Sequence, residues 1–191
     1  MAQVSIPAVA FIGKQNSGKT TLLEKLIVAL SSQGIRVATI KHHSHAGFEF
    51  DIEGKDSWRH RQAGSIHTVI AAPDQMASVR RLKRELSVQE IIDTLTFDST
   101  VVGDIPQIIL VEGYRFSGLP TIELFRSANP KDAKRDLETE SNELRAVVTD
   151  IARVATQAQA QGLPVFTFDA PDPLARFLIK TFIEREERDL M

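Results

Sequence analysis

Eight consecutive residues, Gly13-Lys14-Gln15-Asn16-Ser17-Gly18-Lys19-Thr20, have the types and spacing G-x-x-x-x-G-K-[ST] that cradle the phosphates of a nucleoside triphosphate. The two glycines allow backbone conformations and close approaches that a β-carbon obstructs. Successive N–H groups then point inward as a nest, and the start of the following helix adds partial positive charge. Lys19 is expected to reach the β- and γ-phosphates. The Thr20 hydroxyl is expected to ligate Mg²⁺, with Thr21 beside it in the nucleotide-binding set.

A second acid-bearing signature is Ile108-Ile109-Leu110-Val111-Glu112-Gly113. A carboxylate ending a buried strand beside the phosphate-loop strand is placed to touch Mg²⁺ directly or through water, although Glu112 stands where such proteins usually carry Asp. Asp51 and Asp56 follow the second strand. Of the two, Asp51 is expected to bind Mg²⁺ or position an attacking water, so Lys19, Asp51 and Glu112 form the expected reactive set.

All five histidines fall between positions 42 and 67. Lys41, His42, His43, His45, Lys55, Arg59, His60 and Arg61 make a local cationic segment in a chain of net charge −2. Such a segment suits a polyanion, either the triphosphate (Lys41, His42 and Arg59 being the expected contacts) or an acidic partner face. For Lys55 and His60 a solvated helix face is the plainer alternative, and Trp58 reads as a packing or interface residue rather than a base-stacking platform. His42, His43 and His45 also have spacing that suits Zn²⁺ or Ni²⁺, though without thiolate support.

For the base, the guanine-reading string Asn-Lys-x-Asp is absent, and the partial match Ala133-Lys134-Arg135-Asp136 does not follow a buried strand. Asp150 does end one, and its carboxylate could accept from guanine N1–H and N2–H₂; capping the next helix is the other use open to it.

The elements that must position these residues read as an α/β chain. Ala8–Ile12 is an apolar run with the character of a strand buried on both faces. Leu22, Leu23, Leu26, Ile27 and Leu30 recur at helical spacing up to Gly34, and residues 35–40 form the next strand, suggesting a parallel βαβ unit. A short helix from about Asp56 to Gly64, a strand over 66–71, a helix opened by the box Ser87-Val88-Gln89-Glu90, and strands at 108–111, 121–125, 146–149 and 165–168 follow. Residues 127–143 read as a charged surface excursion. Asp172 as N-cap and Pro173 at the first helical position open a final helix. The expectation is a P-loop NTPase-like three-layer fold, with a mostly parallel central sheet and helices on both faces, in a single nucleotide-binding domain over 1–191.

With 191 residues, 42% hydrophobic and 25% charged, the composition is that of a globular protein. The net charge gives no global attraction to nucleic acid or an anionic membrane. There are no cysteines, which excludes disulfides, thiolate metal sites and cysteine nucleophiles. With no signal-peptide pattern and no apolar run near the roughly 20 residues a span requires, a cytoplasmic location is expected.

Several blocks together resemble one family. Thr39-Ile40-Lys41-His42-His43, Phe50-Asp51, Gly54-Lys55-Asp56-Ser57-Trp58-Arg59-His60-Arg61-Gln62-Ala63-Gly64, Leu110-Val111-Glu112-Gly113-Tyr114, Pro120 and Ile122-Glu123-Leu124-Phe125-Arg126 are similar to the molybdopterin-guanine dinucleotide biosynthesis adaptor proteins. The resemblance implies a homodimeric GTP-binding protein with Mg²⁺ and weak GTPase activity. It would act beside the guanylyltransferase that joins GMP to molybdopterin, presenting GTP or the cofactor, and the cationic segment could meet the pterin phosphate. GTP preference rests chiefly on this resemblance. The residues alone leave two other readings open: a small-molecule or nucleotide kinase, with Arg80, Arg81 and Arg84 as lid arginines, and a histidine-rich metallochaperone GTPase.

Overall fold

A computed structural model describes residues 5–43, 45, 47–137 and 142–184. The chain divides into two compact units, one made of residues 1–42 with 88–191 and the other of residues 43–87. The expectation of one nucleotide-binding domain over 1–191 thus meets a chain in which a 45-residue stretch packs on itself.

The larger unit is built on six parallel strands: β1 (Ala8–Ile12), β2 (Val37–Lys41), β5 (Ile108–Glu112), β6 (Thr121–Phe125), β7 (Leu144–Thr149) and β8 (Val165–Phe166). Their spatial order is β2-β5-β1-β6-β7-β8. Strand, helix and strand follow one another over residues 8–41 as expected, but β1 and β2 are not neighbours, because β5 lies between them. Lys41 is therefore in register with Glu112, and Phe11 pairs with Glu112 from the other side.

Side-chain alternation along β1 explains why all five of its residues are apolar. Val9 and Phe11 face a core shared with α1 (Lys19–Ser31) and α6 (Pro171–Leu178); Ala8, Ala10 and Ile12 face a second core under α3 (Val88–Val102). A third cluster sets Phe125, Leu144 and Val147 against α5 (Ala152–Ala160). Helices thus cover both faces of the sheet, as the expected three-layer fold requires. Fully burying one such Leu, Ile or Phe contributes about 1.5–3 kcal/mol.

Two readings of the chain are corrected here. The last helix begins earlier than expected, with Pro171 in its first turn and Ala170 as its cap, so Asp172 is not the N-cap. It passes into a π-helical turn over Ile179–Ile183, which keeps Phe182 and Ile183 buried. Residues 127–143 are not simply a surface excursion: a short helix, α4 (Pro130–Ala133), buries Asp132 completely.

The smaller unit holds α2 (Asp56–Gln62) and an antiparallel ribbon of β3 (His67–Ala71) and β4 (Met76–Arg80). Within it, the Arg61 guanidinium meets Glu49 at 2.6 Å and lies 3.9 Å from Asp51. Phe48, Phe50, Ile52, Ile66 and Met76 are all largely exposed there. Among the described residues of the chain, no helix is long and apolar enough to cross a membrane.

Candidate functional site

The phosphate loop runs from the end of β1 to the first turn of α1, at the carboxyl edge of the parallel strands, where α/β sheets place their ligands. Two glycines make its path possible. A β-carbon on Gly13 would approach the Leu124 carbonyl oxygen to 3.0 Å, and Gly18 takes φ +81° at the N-cap of α1. Asn16 also adopts positive φ, which asparagine tolerates better than most residues. The first turn of α1 carries no acidic side chain, so its N-terminal positive end is not neutralised from within the helix.

Lys19 folds back over the loop and donates to the carbonyl oxygens of Gly13 (2.9 Å) and Lys14 (2.8 Å). Burial lowers the pKa of its ammonium; Glu112 and Asp132 oppose that shift, while Lys41 and Arg115 add to it. The Thr20 hydroxyl lies 3.0 and 3.1 Å from the two carboxylate oxygens of Glu112, and the Lys41 ammonium lies 3.3 Å from the same carboxylate. Thr20, Lys41 and Glu112, read from three separate stretches of sequence, therefore meet on one side of the loop. A hydroxyl and a carboxylate converging beside a ring of backbone N–H groups are hard oxygen donors that suit Mg²⁺ held against phosphate.

The opposite side of the loop is closed. Ser17 is fully buried and donates its hydroxyl to Asp132 Oδ2 at 2.5 Å. Asn129 Nδ2 lies within 3.1 Å of Gln15 O, Ser17 Oγ and Asp132 Oδ2. The Arg126 backbone N–H also donates to Asp132 Oδ2, and Arg135 donates to Oδ1. Arg135 continues to the buried Glu123, which also takes Arg115 at 2.5 Å. Buried polar groups persist only when partnered in this way. Sequence reasoning missed Asn129, Asp132 and Glu123. The readable signal was Asn129-Pro130, a helix cap followed by proline in the first turn, directly after a buried strand.

Other expected residues are placed as follows. Thr21 follows Thr20 in the first turn of α1, and Lys14 is exposed on the loop. His42 packs its ring on Tyr114, with centroids 4.4 Å apart. Asp150 ends β7, but it neither caps α5 nor stands alone: its carboxylate accepts from the Ser127 N–H (2.6 Å) and hydroxyl (2.8 Å). Asp51 and Arg59 belong to the smaller unit, where Asp51 accepts from Ile52 N–H and faces Arg61, and Arg59 lies 3.8 Å from Asp56. Trp58, Arg59 and His60 line a shallow hollow of about 480 Å³ on α2. His43 and His45 face each other at 5.8 Å, and among the described residues no three His, Cys, Asp or Glu side chains are arranged to hold a metal ion. Arg81 donates to the Arg61 carbonyl and Arg84 to that of Glu85, both within the smaller unit.

Fold and loop together define the class: an α/β protein of the P-loop NTPase type, with its phosphate cradle at the end of β1 and an acid-bearing strand beside it. The family model of molybdopterin guanine dinucleotide synthesis protein B matches residues 8–150, and the chain belongs to that family. It is 39% identical over 126 residues to the molybdopterin-guanine dinucleotide biosynthesis adapter protein of Haemophilus influenzae, a match covering 66% of this chain and 67% of that one. It is 39% identical over 121 residues to the adapter protein of the same name from Escherichia coli, covering 63% and 66%. The matched stretch thus spans about two thirds of both relatives. The crystal structure of Bacillus subtilis MobB is similar with a TM-score of 0.71 at 26% identity, covering 93% of this chain and 98% of that one.

Proposed function

We propose that this chain is a GTP-binding adaptor of molybdopterin-guanine dinucleotide biosynthesis, with at most a slow GTPase activity, working beside the guanylyltransferase that joins GMP to molybdopterin. The observation that carries the nucleotide reading is the convergence of the phosphate loop with Thr20, Glu112 and Lys41 at one strand edge. Gly13 to Thr20 and Thr21 hold the phosphates, with Lys19 leaving the loop carbonyls to bind the β- and γ-oxygens. Thr20 and Glu112 hold Mg²⁺, which when bound neutralises phosphate charge. With Mg²⁺ held there, Lys41 and His42 would contact the γ-phosphate.

Asp51, with Arg61 Nε 3.9 Å from its carboxylate, is the further proposed metal-binding or water-positioning acid. Asp150, already oriented by Ser127, keeps oxygen lone pairs for the guanine N1–H and N2–H₂ donors. Slow turnover is expected because the sequence places no arginine finger or catalytic glutamine in a recognisable motif. The hollow of Trp58, Arg59 and His60 offers a cation and an aromatic face for the pterin and its phosphate. The largely exposed Phe50, Ile66 and Met76 of the smaller unit favour a homodimer, in a cytoplasmic protein.

Equilibrium binding of GTP and ATP with Mg²⁺, followed by a pull-down from cells producing molybdenum enzymes, tests the proposal. Tighter ATP than GTP binding, or recovery of neither a guanylyltransferase nor a pterin, would overturn it.

A further inference from the structure

Four arginines stand around the closed side of the cradle, and they differ in what they are paired with. Arg115 and Arg135 are both bound to Glu123, and Arg135 also meets Asp132. Arg153 is paired with Asp136. The Arg126 guanidinium has neither a carboxylate nor a carbonyl acceptor among the described residues, although it is held more firmly than a surface arginine.

Three contacts fix it. Its backbone N–H is bound to Asp132, the carboxylate that also takes the Ser17 hydroxyl of the phosphate loop. Its guanidinium lies over the ring of Phe168, 4.7 Å from the centroid, and that ring is itself buried. Its side chain lies along Gly18, where an added β-carbon would come within 2.8 Å of Nη1 and 3.7 Å of Cδ. A planar five-donor fork is thus set against the glycine that opens α1, with no hydrogen-bond acceptor for it among the described residues. Ordering an arginine costs side-chain entropy, and a rigid cation without an anion beside a nest of N–H groups has a site's chemistry but not yet its ligand.

We infer that Arg126 is a phosphate-binding residue of the cradle, contacting the polyphosphate of the bound nucleotide from the β6 side of the loop. The inference rests on the nucleotide reading above and extends it to a residue outside the phosphate-loop motif. It also gives the end of β6 a division of labour. Arg126 serves the phosphates, while its neighbour Ser127 orients Asp150 toward the base.

Inorganic tripolyphosphate, which has no base, is the probe. Its affinity with Mg²⁺ is measured for the full chain, Arg126→Lys, Arg126→Met and Lys19→Ala, with thermal unfolding of each. Methionine keeps an apolar stem against Phe168 but no charge, whereas lysine keeps the charge. The expected result is a loss on the order of ten- to a hundredfold for Arg126→Met, most of the affinity retained by Arg126→Lys, and unchanged melting for both. A purely structural spacer predicts the reverse order, with methionine tolerated, and that outcome overturns the inference. So does wild-type affinity in Arg126→Met when Lys19→Ala has lost binding, which leaves the nucleotide reading standing. Failure of the wild-type chain to bind tripolyphosphate or GTP overturns both.

Discussion

The phosphate loop is bounded by two walls built on opposite principles. On the β5 side, Glu112 meets Thr20 and Lys41 at 3.0–3.4 Å, and Lys41 keeps most of its side chain in water. On the β6 side, Asp132 is fully buried and takes hydrogen bonds from Ser17, Asn129, Arg126 and Arg135. Glu112 is only 14% exposed, but its Lys41 partner is largely in water, and ion pairs with one end in water are worth little, so the first wall can give up this bond to a metal and a phosphate. Buried hydrogen-bonded networks rigidify a structure and are costly to break, although Arg135 Nε in this one is buried without a hydrogen-bond partner among the described residues. The second wall holds the loop open, and the first is where a ligand can replace what is there.

Removing the buried carboxylate should have the largest effect. Asp132→Ala leaves the buried Ser17 hydroxyl without its acceptor and takes one acceptor each from Asn129 and Arg135. It should destabilise the fold by about 3–5 kcal/mol, read by chemical denaturation. A loss under 1 kcal/mol would mean that the closed wall is not the scaffold. Lys19→Ala should leave stability nearly unchanged and weaken GTP binding by about 2–5 kcal/mol, because the cluster of phosphate charges loses the cation that meets it. Normal GTP affinity in that variant would refute the cradle itself.

The two walls were unequally legible in the sequence. Lys19 and Thr20 belong to one contiguous motif, and Glu112 and Lys41 each sit at the end of an apolar strand, so local pattern located them. Which strands are neighbours was not local. The placement of β5 between β1 and β2, which sets Lys41 opposite Glu112, is a topological fact that hydrophobic periodicity does not contain. The closed wall was hidden for a stronger reason. Ser17 and Asp132 are 115 positions apart, and Asn129-Pro130-Lys131-Asp132 has the composition of a surface turn. Nothing in it reveals that the carboxylate turns inward. Strand β4 was missed because Met76-Ala77-Ser78-Val79-Arg80 is too weakly apolar to stand out, and its pairing with β3 supplies the order that its own pattern lacks.

A gentler substitution sharpens the contrast. Glu112→Gln keeps the shape of the open wall but removes the charge that faces Thr20 and Lys41. The fold should change by less than about 1 kcal/mol, since glutamine keeps an oxygen for Thr20 and the Lys41 end of the lost pair is largely exposed. The Mg²⁺-dependent part of GTP binding should fall about tenfold, with hydrolysis falling in parallel, while binding in EDTA barely changes. Equal losses with and without Mg²⁺ would assign Glu112 to the scaffold instead of the metal.

The smallest effect is one of pH, and it separates the walls without any substitution. Burial lowers the Lys19 pKa in the free protein, and it is the ammonium form that binds phosphate. Affinity is therefore fully present below that lowered pKa and lost as pH rises through it, at less alkaline pH than for an exposed lysine. A bound polyphosphate restores the charge, so complex formation should take up protons in this window. Tripolyphosphate is the suitable ligand, since its own charge does not fall as pH rises. Calorimetry in buffers of different ionisation enthalpy would read the uptake, which should vanish in Lys19→Ala wherever residual binding can be measured. An uptake that persists in Lys19→Ala would mean that the lysine of the loop is not the group that responds to the ligand.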